Sequence, residues 1–311
     1  MPVPLSPSEP ALAPPATDRW RPLVELALAE DIGTGDLTSL LTIEAARTGR
    51  ARVEARAPMT VCGLPIVREV FERVDEGLSV RDQETVWDGV RVEPGQVLLR
   101  VAGSYASILT AERTALNFLG RLCGIATQTR RLVDLVADLP VDLVDTRKTT
   151  PGWRILEKYA VAVGGGMNHR IGLYDAVLVK DNHIAAAGGF DTAVQRALRK
   201  APPGVPVQVE VESLAMADRA VELGCRFLLL DNLEPAAVRQ IVDRHAPDVV
   251  LEASGGIGPG NLRAYAETGI ARISMGALTH SVISADVALE VDLLDAASAE
   301  PDAPGDGSAG A

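Results

Sequence analysis

Residues 145–183, DTRKTTPGWRILEKYAVAVGGGMNHRIGLYDAVLVKDNH, hold three of the chain's four lysines (Lys148, Lys158, Lys180) and two of its four histidines (His169, His183). Arg147 and Arg170 lie in the same stretch, and Gly164-Gly165-Gly166 lets it bend toward a ligand. In a chain of net charge −12 this concentration of cations predicts a pocket for a small, strongly anionic molecule. Arginine and lysine donate charge-assisted hydrogen bonds to carboxylates and phosphates. Two glycine-rich stretches, Ser254-Gly255-Gly256-Ile257-Gly258 and Ser274-Met275-Gly276-Ala277, would bring backbone N–H groups up to a phosphate. Glu210 and Glu212 stand two apart on one strand and share a face, and Asp231 ends the next run. Carboxylates set in valine-rich strands need a cation or hydrogen bonds. A Mg²⁺ ion bridging a phosphorylated ligand would supply both, and so would ion pairs to neighbouring Arg and Lys. Cation cluster, phosphate cradle and paired acids together point to an enzyme acting on a phosphorylated sugar and a second, anionic substrate.

Those residues need a frame that brings them together. From Val141 onward one theme repeats: an apolar run, a polar cluster at its end, then a helical pattern. The runs are 141–144, 176–179, 205–211, 227–230, 249–251 and 271–273, with helices near 190–200, 214–223, 234–245 and 259–268. This is the pattern of parallel strands with crossover helices. Six units with polar ends suggest a closed α/β barrel, whose active site lies at the C-terminal ends of the strands. The competing arrangement, a doubly wound open sheet, lacks its Gly-x-Gly-x-x-Gly signature.

Before the barrel, residues 19–46 read as helix broken by Glu30-Asp31-Ile32-Gly33-Thr34-Gly35-Asp36, a turn and cap signal. Residues 49–103 alternate in short runs with a helix near 66–73, and 104–138 are helical in period. On periodicity alone Arg113 is an exposed helix charge. Residues 1–18 and those from Ala296 onward are rich in Pro, Ala and Ser and are expected to be disordered. The acidic balance argues against nucleic acid, and no apolar run reaches the roughly 18 residues that span a bilayer. No secretory signal pattern is seen, and three scattered cysteines (Cys62, Cys123, Cys225) fit a reduced, cytoplasmic setting.

The motifs ERTALNFLGRLCGIAT, DTRKTTPG, GGGMNHR, VLVKDNH, EVES, LLLDN, EASGGI and SMGAL, in this order, together with EDIGTGDLTS, resemble the quinolinate phosphoribosyltransferase family. The likeness spans roughly residues 19–290. It implies an α/β sandwich N-terminal domain (19–123, joined by 285–295) and an incomplete TIM-like α/β barrel (124–284). The reaction implied is transfer of phosphoribosyl from phosphoribosyl pyrophosphate to quinolinate with loss of CO₂, with Mg²⁺ as cofactor. A homodimer with shared active sites is implied too, and the likeness leaves open any assembly beyond it. Carried over by position, Arg147, His169, Arg170 and Lys180 would hold quinolinate beside Thr146, and Arg113 would reach into the partner's site. Lys148 would lie near the pyrophosphate and the reacting centre. Glu210 and Asp231 would contact ribose and metal, directly or through substrate. Ser254, Gly255, Gly256, Met275, Gly276 and Ala277 would form the 5-phosphate loops. Cys123 stands where the family pattern has serine. The alternatives are a nicotinate phosphoribosyltransferase of similar fold and a non-catalytic phosphometabolite-binding protein.

Overall fold

A computed structural model describes residues 13–292. The first domain contains helices α1 (Arg21–Ile32), α2 (Leu37–Thr42) and α3 (Leu64–Val74), with strands β1 (Thr48–Ala55), β2 (Met59–Thr60), β3 (Ser79–Asp82), β4 (Arg91–Val92) and β5 (Val97–Ser104). The break between α1 and α2 is a cap: Asp36 accepts from the Ser39 N–H at 3.0 Å. Apolar residues at helical spacing make one face of α3, and Ile66, Val67, Val70 and Phe71 are wholly buried. That face packs on α4 (Tyr105–Leu135), which runs on from this domain into the next.

The barrel elements are β6 (Asp142–Val144), α5 (Arg154–Val163), β7 (Val177–Val179), α6 (Asp181–Ala187), α7 (Phe190–Lys200), β8 (Val207–Val211), α8 (Leu214–Glu222), β9 (Phe227–Asp231), α9 (Pro235–His245), β10 (Val250–Ser254), α10 (Leu262–Ala266), β11 (Arg272–Ser274) and α11 (Ala277–His280). Its strands are parallel in the order β6-β11-β10-β9-β8-β7. Each lies beside its sequence neighbour except β6 and β7, which do not pair. The closed barrel expected from the repeats is therefore corrected to an open one. Residues 164–176, between α5 and β7, bridge to β6 at Met167, whose N–H donates to Leu143 O at 2.8 Å and whose carbonyl accepts from Asp145 N at 3.0 Å.

A last strand, β12 (Val287–Asp292), returns to the first domain and pairs antiparallel with β1, making the sheet order β12-β1-β5-β3. The return passes over α4 at a notch. A Cβ on Gly124 would sit 2.2 Å from Ile283 O, and Ala285 N donates to Gly120 O at 2.8 Å. The expected tails at 1–12 and 296–311 lie outside the described residues, as do 293–295 of the joining segment. Residues 13–18, part of the stretch expected to be disordered, include a 3-10 turn starting at Thr17, and buried Trp20 donates its indole N–H to Pro15 O at 2.9 Å. The anchoring indole follows directly after the proline-rich segment, so composition of that segment alone did not reveal it.

Candidate active site

Strand register places the chemistry. Glu210 on β8 and Glu252 on β10 both pair with Leu229 of β9, so all three share one face of the sheet, and alternation adds Gln208, Asp231 and Ser254 to it. The opposite face carries Val209, Val211, Leu228, Leu230, Leu251, Ala253 and Ile273, all buried. The strand runs read as continuously apolar are thus lined with polar groups on the barrel side.

The cation cluster is built on a buried ion pair that the sequence did not single out. Lys158 of α5 (1% exposed) reaches Asp145 at the end of β6 (0% exposed) and also donates to His169 O at 3.0 Å. Asp145 accepts the His169 N–H at 2.8 Å. With its amide nitrogen turned toward the pair, Asn168 donates to Asp145 Oδ2 at 2.6 Å and Lys158 O at 2.9 Å. Burial pushes the Asp145 carboxyl up to about 6 against the pull of Lys158, and burial lowers the Lys158 ammonium. The pair pins the backbone of residues 167–169 to the end of β6, which sets Arg147 and Arg170 on one side of the mouth. Burial holds Arg170 below its ordinary value and the charge of Arg147 lowers it further. Arg170 Nη1 donates to Ala176 O at 3.0 Å, and Arg147 Nε is buried without a partner among the described residues. Two such guanidiniums together suit an incoming carboxylate.

His169 is held through both ring nitrogens. Nδ1 accepts the Arg170 N–H at 2.8 Å and Nε2 lies 3.0 Å from Gln208 Oε1. Burial lowers its pKa, although Glu252 pulls the other way. Lys180 at the end of β7 forms an ion pair with Glu210, joining the cation cluster to the acids. Lys148 is exposed, Thr146 Oγ1 accepts its N–H at 3.0 Å, and Thr279 Oγ1 donates to its carbonyl at 2.8 Å.

The ends of β9 and β10 interlock. Asn232, in the left-handed region at φ 54°, donates its N–H to Ser254 O at 2.9 Å and its amide to Asp231 Oδ2 at 2.7 Å. Gly255 makes this possible: at φ 95° a Cβ there would lie 2.1 Å from Asn232 Oδ1. Gly255→Ala is expected to cost on the order of 1–3 kcal/mol in backbone strain alone and to turn Asn232 away from Asp231. Thermal unfolding together with the KM for the phosphorylated substrate checks this, and an alanine variant matching the parent in both would contradict it. Beside this junction lies a cleft of about 240 Å³ lined in part by Asn232, Gly255 and Gly256. Another, of about 250 Å³, includes Glu210, Glu212 and Asp181. At the end of β11, Met275 is buried and its N–H donates to Val144 O at 2.9 Å, and Gly276 and Ala277 follow at the start of α11.

Arg113 stands apart from this constellation. Its side chain is 65% exposed on α4 and its nearest acid is Glu112 at 3.9 Å. The groups that the sequence reading left without a role are Lys158, Asp145, Gln208 and Glu252. One signal was available for the first: Glu157-Lys158-Tyr159 interrupts an otherwise apolar helix. All three are used, since Glu157 pairs with Arg121 of α4 and the Tyr159 hydroxyl donates to Asp88 of the first domain at 2.7 Å.

Comparison with known proteins gives matches over most of the chain. Residues 36–123 match the family described as "Quinolinate phosphoribosyl transferase, N-terminal domain" and residues 125–290 match its C-terminal domain. The chain is 42% identical over 265 residues to a Bacillus subtilis (strain 168) protein named "Probable nicotinate-nucleotide pyrophosphorylase (carboxylating)", covering 85% of this chain and 90% of that one. It is 41% identical over 278 residues to the Mycobacterium leprae (strain TN) nicotinate-nucleotide pyrophosphorylase (carboxylating), covering 88% of this chain and 98% of that one. The solved structure of the Francisella tularensis nicotinate-nucleotide pyrophosphorylase superposes with a TM-score of 0.86 at 38% identity, covering 90% of this chain and 99% of that one.

Proposed function

We propose the reaction from one premise: the chain belongs to the quinolinate phosphoribosyl transferase family. The protein transfers phosphoribosyl from phosphoribosyl pyrophosphate to quinolinate and releases pyrophosphate and CO₂, forming nicotinate mononucleotide for NAD synthesis. The observation that carries this reading is the Lys180–Glu210 ion pair, which sets a di-acid pocket against the acids that would attend a sugar. A nicotinate phosphoribosyltransferase is not favoured, since the relatives bear the carboxylating name and several cations surround the base pocket.

Arg147, Arg170 and Lys180 supply the charge for quinolinate's two carboxylates, with His169 and Thr146 beside them. As pyrophosphate leaves, positive charge grows at C1 of the ribose, and Glu210 and Asp231 stabilise it. Lys148 faces the departing pyrophosphate. The 5-phosphate lies against Ser254, Gly255 and Gly256 and against the Met275-Gly276-Ala277 turn. The quinolinate nitrogen, held in line by the cations, bonds to C1 and becomes cationic. The bond from C2 to its carboxylate then breaks as CO₂ leaves, and the electron pair stays on C2, stabilised by the adjacent cationic nitrogen, until C2 takes a proton from solvent. No covalent ribosyl-enzyme intermediate is needed, and trapping one would overturn this sequence of steps.

Among the described residues no cluster of three or more His, Cys, Asp or Glu side chains could cage a metal. Glu210 and Asp231 offer two carboxylates, which fits Mg²⁺ carried largely by substrate phosphates. Bound there, Mg²⁺ would neutralise charge on the pyrophosphate. The protein is further proposed to act as a cytoplasmic homodimer in which Arg113 completes the partner's site. In support, Arg113 projects into solvent, α2 exposes Leu37, Leu40 and Leu41, and all three cysteines are free. Among the described residues no helix is long and apolar enough to cross a membrane.

The test is an assay with Mg²⁺, phosphoribosyl pyrophosphate and either quinolinate or nicotinate, following nicotinate mononucleotide and CO₂. Product from quinolinate alone, with equimolar CO₂, is expected. Product from nicotinate, or from neither acid, would overturn the assignment of the base pocket.

A further inference from the structure

We propose that Gln208 and Glu252 are positioning residues that hold His169 as a neutral imidazole protonated on Nε2, so that His169 orders the pocket while the arginines and lysines supply its charge. The hydrogen-bond directions require this. Nδ1 faces the Arg170 N–H at 2.8 Å, and a nitrogen that accepts from an N–H cannot itself carry a proton. The proton therefore sits on Nε2 and is donated to Gln208 Oε1 at 3.0 Å. The Gln208 amide is oriented in turn, because its nitrogen donates to Glu252 Oε2 at 3.2 Å. Reversing it would aim NH₂ at the imidazole N–H and an oxygen at a carboxylate.

The chain of bonds spans the barrel from β7's approach segment to β8 and over β9 to β10. Gln208 is 2% exposed and Glu252 is 0% exposed. The second Glu252 oxygen has no partner among the described residues and lies 3.6 Å from His169 Nε2, beyond hydrogen-bond reach. The charged groups around the ring are opposed. Burial, the largest influence, disfavours the imidazolium, as do Lys158 from α5 and the adjoining Arg170; Glu252 from β10 and the bond to Gln208 favour it, and the balance leaves the ring below its ordinary value. Asp145, which accepts the His169 backbone N–H, is already paired with Lys158. Through Nδ1 the ring fixes the Arg170 amide, and with it the point from which that guanidinium enters the pocket.

The test uses the full chain with ¹⁵N-labelled histidine, His169 being assigned by the signal missing from His169→Gln. At neutral pH the parent should show one unprotonated Nδ1 and one protonated Nε2. Gln208→Leu removes the acceptor that keeps the ring turned toward the Arg170 N–H, so the ring should be freed and the fixed tautomer lost to an averaged signal. On the reaction proposed above, it should raise the quinolinate KM by roughly three- to tenfold, the worth of one hydrogen bond, with the phosphoribosyl pyrophosphate KM unchanged. Glu252→Gln, which keeps an acceptor for the Gln208 amide, should retain the tautomer and guards against misfolding of the leucine variant. An imidazolium in the parent at neutral pH, or an undisturbed Nε2–H tautomer in folded Gln208→Leu, would overturn the proposal. If the parent used neither acid as substrate, the kinetic result would fall with the reaction, and the nitrogen signals would still decide the tautomer.

Discussion

Asp231→Asn is expected to lower kcat by roughly two to three orders of magnitude, the usual effect of removing one preorganised electrostatic contact to a developing charge. The substitution changes charge and little else. Asp231 ends β9 half-buried, and one of its oxygens already accepts from the Asn232 amide at 2.7 Å. An asparagine keeps that volume, and its own oxygen can keep the bond. What disappears is the negative charge proposed to face C1 of the ribose and a metal carried by the pyrophosphate. The unfolding temperature should therefore stay near the parent's while kcat falls and more Mg²⁺ is needed for half-maximal rate. Glu210 is a less clean target, because neutralising it also frees the Lys180 ammonium that it pairs with. A kcat for Asp231→Asn within tenfold of the parent would remove Asp231 from the reacting centre.

Lys158→Met is expected to give the largest loss of stability, about 3–5 kcal/mol, because it strands a buried carboxylate without its counter-charge. Asp145 is fully buried and, among the described residues, retains only the His169 N–H and the Asn168 amide as donors. The loss should depend on pH in a definite direction. Burial already raises the Asp145 carboxyl to about 6 in the presence of Lys158, and without that ammonium it must rise further. A carboxyl whose folded pKa lies above its unfolded value takes up its proton first in the folded state, so acidification favours folding. The variant's deficit should be full above its raised pKa, shrink as pH falls toward about 6, and level off below that, where the parent's Asp145 takes up its proton too. Denaturant unfolding of both proteins across that range checks it. Adding Asp145→Asn to the variant should recover part of the deficit at neutral pH. A deficit independent of pH would show that lost packing, and not the stranded charge, is responsible.

Local pattern determined a good deal of this protein. The strand–helix alternation from Val141 on, the cap at Asp36 and the glycine turns after β10 and β11 are set by neighbours a few residues apart, so they can be read from the chain. The charged groups at strand ends were legible for a related reason: charged residues that close an apolar run must lie at the sheet's polar rim. The sequence motifs also carried the family. Tertiary structure decided what depends on residues far apart in the chain. The sheet stays open because β6 and β7, 33 residues apart at their nearest ends (Val144 and Val177), do not pair, and β12 finds the first sheet because Gly120 and Gly124 leave a path over α4. Lys158 is 13 residues from Asp145, and Gln208 is 44 from Glu252, so no periodicity links them. A buried polar side chain must find its partner wherever the fold brings one, and only the assembled barrel names that partner.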